Sequence, residues 1–168
     1  SLIDTASTFI LKNPSQLPKV MVSLKQRQNP SPITVLSLKS PIVALSRALD
    51  EILSPGDFDG TVLVLGRHNF DWDSLFNGKG AAEAPSELLE RFTARKDTES
   101  GDIAVTYKGY SNIKFISVHR AKGLEADEVI VLNLINDRYG FPNKIVDDPI
   151  LNLLLADSDD YHSLLALA

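Results

Sequence analysis

Two apolar runs with an amphipathic stretch between them constrain the fold of this chain more than any other feature. Ile33–Leu38 alternates β-branched and apolar residues as a buried or half-buried strand does, and Thr61–Leu65 is a continuous apolar run. Between them, Ser40-Pro41 supplies an N-cap and a first-turn proline. Ile42, Leu45, Leu49 and Ile52 then fall on one helical face until Ser54-Pro55-Gly56 stops it. The pattern is β-α-β, and near-continuous apolar strands around an amphipathic helix predict a parallel sheet covered on both faces. With 168 residues the chain is expected to form one α/β domain.

Further elements follow the same logic. Leu2, Ile3, Ala6, Phe9 and Ile10 recur at three- and four-residue intervals, so residues 2–11 predict a helix that Asn13-Pro14 ends. Nothing caps that helix on its amino side, which leads us to expect a boundary cut from a longer polypeptide. Residues 26–32 read as a loop, and the Gly- and Ala-rich residues 77–84 as a mobile one. Ser86 is expected to cap a helix carrying Leu88, Leu89 and Phe92. Strands are predicted at 113–118 and 128–134, with another at 104–107 turning through Gly109 as a hairpin. Two last helices are expected after Asp148-Pro149 and after Ser158.

Composition excludes several functional classes. There is no cysteine, and the histidines at 68, 119 and 162 lack metal-ligand spacing, so no disulfide and no structural metal are expected. No apolar run approaches the roughly 20 residues that span a bilayer, and the amino terminus lacks the basic-then-apolar pattern of a secretory signal, so a cytoplasmic protein with no membrane partner is expected. The net charge of -5 is unevenly spread. Residues 1–47 hold six Lys or Arg against Asp4 alone, and the remainder holds eleven against twenty-one acidic residues. Charge alone leaves both a solvated face and a nucleic-acid footprint open.

The chemistry is concentrated in Ser117-Val118-His119-Arg120-Ala121-Lys122-Gly123-Leu124-Glu125, set between two predicted strands. In open α/β sheets, ligands bind beyond the carboxyl ends of strands. Gly123 would let the backbone approach a ligand, Lys122 or Arg120 would neutralise phosphate, and Ser117 or His119 would hydrogen-bond its oxygens. The competing reading is a solvated loop in which Lys122 pairs with Glu125 and Gly123 serves a turn. Trp72, with Phe70 and Phe76 nearby, can stack on bases, but its apolar spacing favours packing into the core. Asp157, Asp159 and Asp160 read as helix-start residues and not as a metal site.

The nine residues from Ser117 to Glu125 resemble motif V of UvrD/Rep-type superfamily 1 helicases, and Ala126–Leu132 resembles the strand after it. Gly140-Phe141-Pro142 and Asp147-Asp148-Pro149 are similar to the segment leading towards motif VI. Val64-Leu65-Gly66-Arg67-His68-Asn69 resembles the strand-end Arg-x-Asn segment that meets single-stranded DNA. Phe9-Ile10, Asn13-Pro14 and Gln16 are similar to the helix after motif IV, especially in DNA helicase IV.

The resemblance implies the second motor domain of an ATP-dependent DNA helicase or translocase. It further implies a RecA-like three-layer fold with a mostly parallel sheet flanked by helices, in which Arg67, Asn69, Ser117 and His119 contact single-stranded DNA. Gly123 and Glu125 would face the nucleotide, a carboxylate suiting a ribose hydroxyl better than a triphosphate. The alternative is a non-catalytic nucleic-acid-binding module. No Gly-x-x-x-x-Gly-Lys-Ser/Thr loop occurs, and no arginine follows Arg138 to serve as the motif VI residue. ATP and Mg²⁺ would therefore be held mainly by the first motor domain of the same polypeptide. The present chain alone is expected to be inactive, with no catalytic residue of its own.

Overall fold

The computed structural model describes residues 2–12, 33–54, 56–77, 79–136 and 140–141. The chain divides into two compact units, one formed by Ser1–Val35 with Val146–Ala168 and the other by Leu36–Ile145. In the first, the described element is α1 (Leu2–Ile10), the helix its periodicity predicts. Sequence expectations at 13–32 and 142–168, including the last two helices and the 157–160 carboxylates, lie outside the described residues.

The second unit is built on a five-stranded sheet in the order β2-β3-β4-β1-β5. Its elements run α2 (Pro41–Leu53), β1 (Val62–Gly66), α3 (Phe70–Asn77), α4 (Lys79–Ala82), α5 (Ser86–Leu89), β2 (Phe92–Lys96), β3 (Ile103–Tyr107), β4 (Tyr110–Ser117) and β5 (Glu128–Val131). The helix predicted at Pro41 forms as expected. Ser40 has extended backbone angles, Pro41 occupies the first turn, and the Ala44 N–H donates to the Ser40 carbonyl.

The sheet is mixed, which corrects the expectation of a RecA-like, mostly parallel sheet flanked by helices. β1 pairs in parallel with β4 and with β5, whereas β2–β3 and β3–β4 are antiparallel. The hairpin through Lys108-Gly109 is the physical reason. Both residues take positive φ, 49° and 86°, and Tyr107 pairs with Tyr110, so a two-residue turn of the type matched to strand twist reverses the chain. A second reversal follows Lys96. There the Asp97 carboxylate accepts the backbone N–H groups of Glu99 and Ser100, and the Ser100 N–H, with the other bonds of the turn, holds its pKa below the usual carboxylate value.

Among the described residues, the helices pack on one face of the sheet. Ile42, Leu45 and Leu49 of α2 and Trp72 and Leu75 of α3 pack with Val62, Val64, Ile103, Val105, Ile113 and Phe115, which alternate onto the same side of their strands. Leu88 and Leu89 of α5 join that cluster, so the expected cover on both faces is not found among the described residues.

Other boundaries shift. Ile33–Leu38 takes no part in the sheet, and Ile33, Val35 and Leu38 are exposed. Lys79–Ala82 forms a helical turn where a mobile stretch is predicted. Ser86 lies inside α5, whose N-cap is Pro85, and Phe92 starts a strand instead of extending that helix. β5 stops at Val131, short of the predicted Leu134.

Below the sheet, Tyr107 ties the hairpin to α2. Its fully buried hydroxyl lies 2.7 Å from Ser46 Oγ and donates to Asp50 Oδ1 at 2.9 Å. Lys108 Nζ lies 2.6 Å from the same carboxylate oxygen. Burial pushes the Asp50 carboxyl up, but the hydrogen bonds from Lys108 and Tyr107 outweigh it and leave its pKa lowered.

Candidate nucleic-acid interface

Three parallel strands end on one edge of the second unit. Gly66 of β1 is in register with Ser117 of β4, and the ladder continues for one more bond, from the Val118 N–H to the Gly66 carbonyl at 2.8 Å. On the other side of β1, the Leu132 N–H donates to the Leu65 carbonyl at 2.8 Å. The segments starting at Arg67, Val118 and Leu132 therefore leave the sheet side by side.

The turn after β1 is fixed by close packing. A Cβ on Gly66 would meet the Phe115 ring at 2.8 Å and Asp71 Cβ at 2.9 Å, so glycine is what lets α3 start this close to the strand. Asp71 is buried, its carboxylate accepts the His68 N–H at 2.9 Å, and its own N–H returns to the His68 carbonyl at 3.1 Å. Residues 67–71 are thereby held as one rigid turn.

Arg67 reaches sideways to the third segment. Its Nη1 donates to the Gly140 carbonyl at 3.4 Å, and its guanidinium stands 5.6 Å from the centre of the Phe141 ring. Arg67 Nε is buried without a hydrogen-bond partner among the described residues. The Phe141 N–H closes back on the carbonyl of Asn133, a residue in the left-handed region with φ 56°. Asn69 is exposed beside Arg67.

Behind β4, His119 and Arg120 are exposed on a turn in which the Ser117 carbonyl accepts the Arg120 and Ala121 N–H groups. Ser117 itself is only 7% exposed, the least accessible of the expected ligands. Arg120 pairs with Asp102 and donates to the Ser100 carbonyl, which pulls the β2–β3 turn alongside this edge. Sequence reasoning missed that link, because a salt bridge across such a separation leaves no local signal.

Four of the six expected site residues, Arg67, Asn69, Ser117 and His119, thus share one edge. Gly123 and Glu125 follow that edge in the chain. They lie on the segment that crosses from the end of β4 to the start of β5, where Asp127 and Glu128 N–H groups donate to the Thr61 carbonyl before β1 begins. The strands separate those two ends by about 13 Å, and Glu125 is two residues from the far one. Gly123 has φ +84° with open space around it, so it serves a turn, and both residues are exposed. Lys122 and Glu125 form no ion pair with each other among the described residues.

Trp72 is 4% exposed and packs against Phe115 and Phe76, as the core reading of this residue anticipates. Two shallow depressions lie away from the edge. One, of about 300 Å³, is lined by residues including Trp72, Phe76 and Phe92, and the other, of about 530 Å³, by Arg47, Asp50, Glu51 and Ser54. Among the described residues no group of three or more His, Cys, Asp or Glu is placed to hold a metal, and no helix is long and apolar enough to cross a membrane.

Searches of protein-family models, curated proteins and solved structures find no match to this chain. Guanidinium, imidazole, hydroxyl and amide groups stand together at the ends of parallel strands, and all of them can hydrogen-bond phosphate oxygens.

Proposed function

We propose that this chain grips single-stranded DNA as part of an ATP-driven helicase or translocase, with the edge formed by Arg67, Asn69, Ser117 and His119 as the contact. The observation that supports this best is the parallel pairing of β1 with β4, with Gly66 opposite Ser117. It brings to one edge two segments about fifty residues apart in the chain, both singled out from sequence as DNA-facing. Glu125, close in sequence to the opposite strand ends, and Gly123 on the same segment are assigned to the nucleotide side. ATP would be held between this chain and a phosphate-loop domain, which would also carry the Mg²⁺ ligands. Glu125 fits a ribose hydroxyl there, and the triphosphate needs donors from elsewhere. Domain closure on ATP would then shift the grip along the strand, and hydrolysis would release it.

The mixed sheet favours a second reading, a binding module that holds nucleic acid without coupling to ATP. ATP hydrolysis by the longest natural polypeptide that contains this chain separates the two. The motor reading expects a rate that rises several-fold with single-stranded DNA and falls with Glu125→Ala. DNA binding without any ATP hydrolysis would leave the binding module.

A further inference from the structure

The turn between β2 and β3 carries the wrong charge for where it stands. Residues 97–102 read Asp-Thr-Glu-Ser-Gly-Asp, three carboxylates in six residues with no cation among them. Gly101 brings that turn against the candidate interface. A Cβ built on it would lie 3.8 Å from Arg120 Nη1 and 4.0 Å from Asn69 Nδ2, so both side chains end beside the same point of the turn. Asn69 follows β1 and Arg120 follows β4, the two strands whose pairing forms the edge. Carboxylates placed there repel phosphate.

Arg120 is where turn and edge meet. Its Nη1 lies 2.5 Å from Asp102 Oδ1 and donates to the Ser100 carbonyl. A carboxylate and a phosphate bind a guanidinium through the same charge-assisted hydrogen bonds, so Asp102 occupies a position that a phosphate would take. Asp102 also has a second cation, for Lys114 Nζ stands 3.7 Å from its Oδ2. A phosphate arriving on Arg120 therefore leaves the carboxylate, whose side chain is only 18% exposed, with a partner. Within the turn, Asp97 accepts the Glu99 and Ser100 N–H groups, and the Gly101 N–H donates to the Asp97 carbonyl at 2.9 Å. Those bonds do not involve Arg120, so the turn can swing away as one piece from the end of the ladder at Lys96 and Ile103.

We propose that Arg120 is a further phosphate contact of the edge and that the acidic β2–β3 turn is a latch on it, with Asp102 standing in for phosphate until a strand displaces it. This rests on the nucleic-acid reading of the same edge and adds its regulation. A tethered carboxylate outcompetes an isolated anion, whereas a strand already held by Arg67 and His119 presents its next phosphate at high effective concentration.

The test is fluorescence-anisotropy binding of a labelled thymine oligonucleotide to the full chain across a range of salt. The proteins are wild type, Asp102→Asn, Arg120→Ala, the double variant of these two, Glu99→Gln and Arg67→Ala. Asp102→Asn should tighten binding by about two- to fivefold, the span of an exposed ion pair. Arg120→Ala should weaken it and reduce the salt slope by about 0.7, one phosphate contact on a single strand. On the Arg120→Ala background Asp102→Asn should no longer tighten binding. Glu99→Gln, which removes the same charge from the same turn and leaves the Asp102–Arg120 pair in place, should change it little. Equal tightening by Asp102→Asn with and without Arg120, or by Glu99→Gln, reduces the effect to general repulsion and refutes the latch. Unchanged or weakened binding by Asp102→Asn refutes it too, and a defect in Arg67→Ala then shows that the edge survives. Movement has its own readout, independent of how Asp102→Asn folds. The chain has no cysteine, so a spin label on Glu99→Cys reports this turn alone and should gain mobility as unlabelled oligonucleotide is added. A bound strand with the label no more mobile than before refutes the latch. No binding by wild type or by Asp102→Asn would overturn the latch and the nucleic-acid reading together.

Discussion

Gly66→Ala tests the packing that places the candidate interface. The added Cβ would lie 2.8 Å from two atoms of the Phe115 ring and 2.9 Å from Asp71 Cβ. Ordinary contact requires each to retreat by roughly 0.6–1 Å. Neither can do so easily, because Phe115 is 1% exposed with Trp72 packed 5.5 Å from it, and Asp71 is tied to His68. Overpacking of this kind costs about 1–3 kcal/mol, and two confined obstacles place it in the upper half of that range. Against it, alanine restricts the unfolded chain and returns about 0.4–1 kcal/mol. The steric term wins, leaving a net loss of about 1–2 kcal/mol. For a unit of roughly a hundred residues that lowers Tm by about 4–16 °C. Thermal melting followed by circular dichroism reads this directly. An unchanged or raised Tm would show that the strand end relaxes freely and would refute the argument that residues 67–71 are rigidly braced.

Two further outcomes follow from the hairpin anchor. Tyr107→Phe removes a fully buried hydroxyl that serves Ser46 and Asp50, and is expected to cost about 1–2 kcal/mol in chemical denaturation. A loss below about 0.5 kcal/mol would mean that the two partners find water instead. The Asp50–Lys108 pair sets a pH window. Asp50 is depressed below its ordinary 3.8, so its contribution is present above that value and is lost as pH falls through the folded pKa. Lys108 is raised above its ordinary 10.5, so its contribution holds below 10.5 and is lost as pH rises through the folded pKa. The difference in Tm between wild type and Asp50→Asn should therefore be flat from about pH 5 to 9 and shrink outside that range. Both side chains are more than a third exposed, so the difference should be small. A difference that peaks near pH 6 would implicate other groups.

Sequence patterning reached α2, β1, β4 and the turn at Gly109 because each carries a local signal: a capping pair, an apolar run, or a glycine where φ must be positive. It did not reach the sheet order. Ile33–Leu38 has the composition of a buried strand yet takes no part in the sheet, since apolar content states what a segment can bury and not which strand it pairs with. Phe92–Lys96 sends the opposite signal. Only Phe92 is buried in it, and its helical spacing from Leu88 and Leu89 drew it into the preceding helix. The β-α-β pattern at 33–65 was extended to most of the sheet, although two tight turns make the β2–β3–β4 part antiparallel.

At the candidate site, residue types were legible and their grouping was partly so. Arg67 and Ser117 meet because β1 and β4 are neighbours, while Glu125 is carried off by the crossing segment; no residue spacing encodes either fact. Phe70, Trp72 and Phe76 were treated from sequence as one aromatic face. Helix phase divides them, turning Trp72 inward and Phe70 outward. The Arg120–Asp102 pair depends on the β2–β3 turn, so it was hidden along with β2.

The central claim is that the β1–β4 edge holds a single strand of DNA. Its most direct test is a fluorescence-anisotropy titration of a labelled thymine oligonucleotide across a range of salt, comparing wild type with Arg67→Ala, His119→Ala and Arg47→Ala. Arg47 is an exposed cation on α2, a helix of the core face, and serves as a charge-matched control. The account predicts that Arg67→Ala and His119→Ala weaken binding across the salt range, that Arg67→Ala reduces the salt slope by about 0.7, and that Arg47→Ala changes neither. Equal weakening by all three would reduce the interaction to general charge attraction and contradict an interface at this edge.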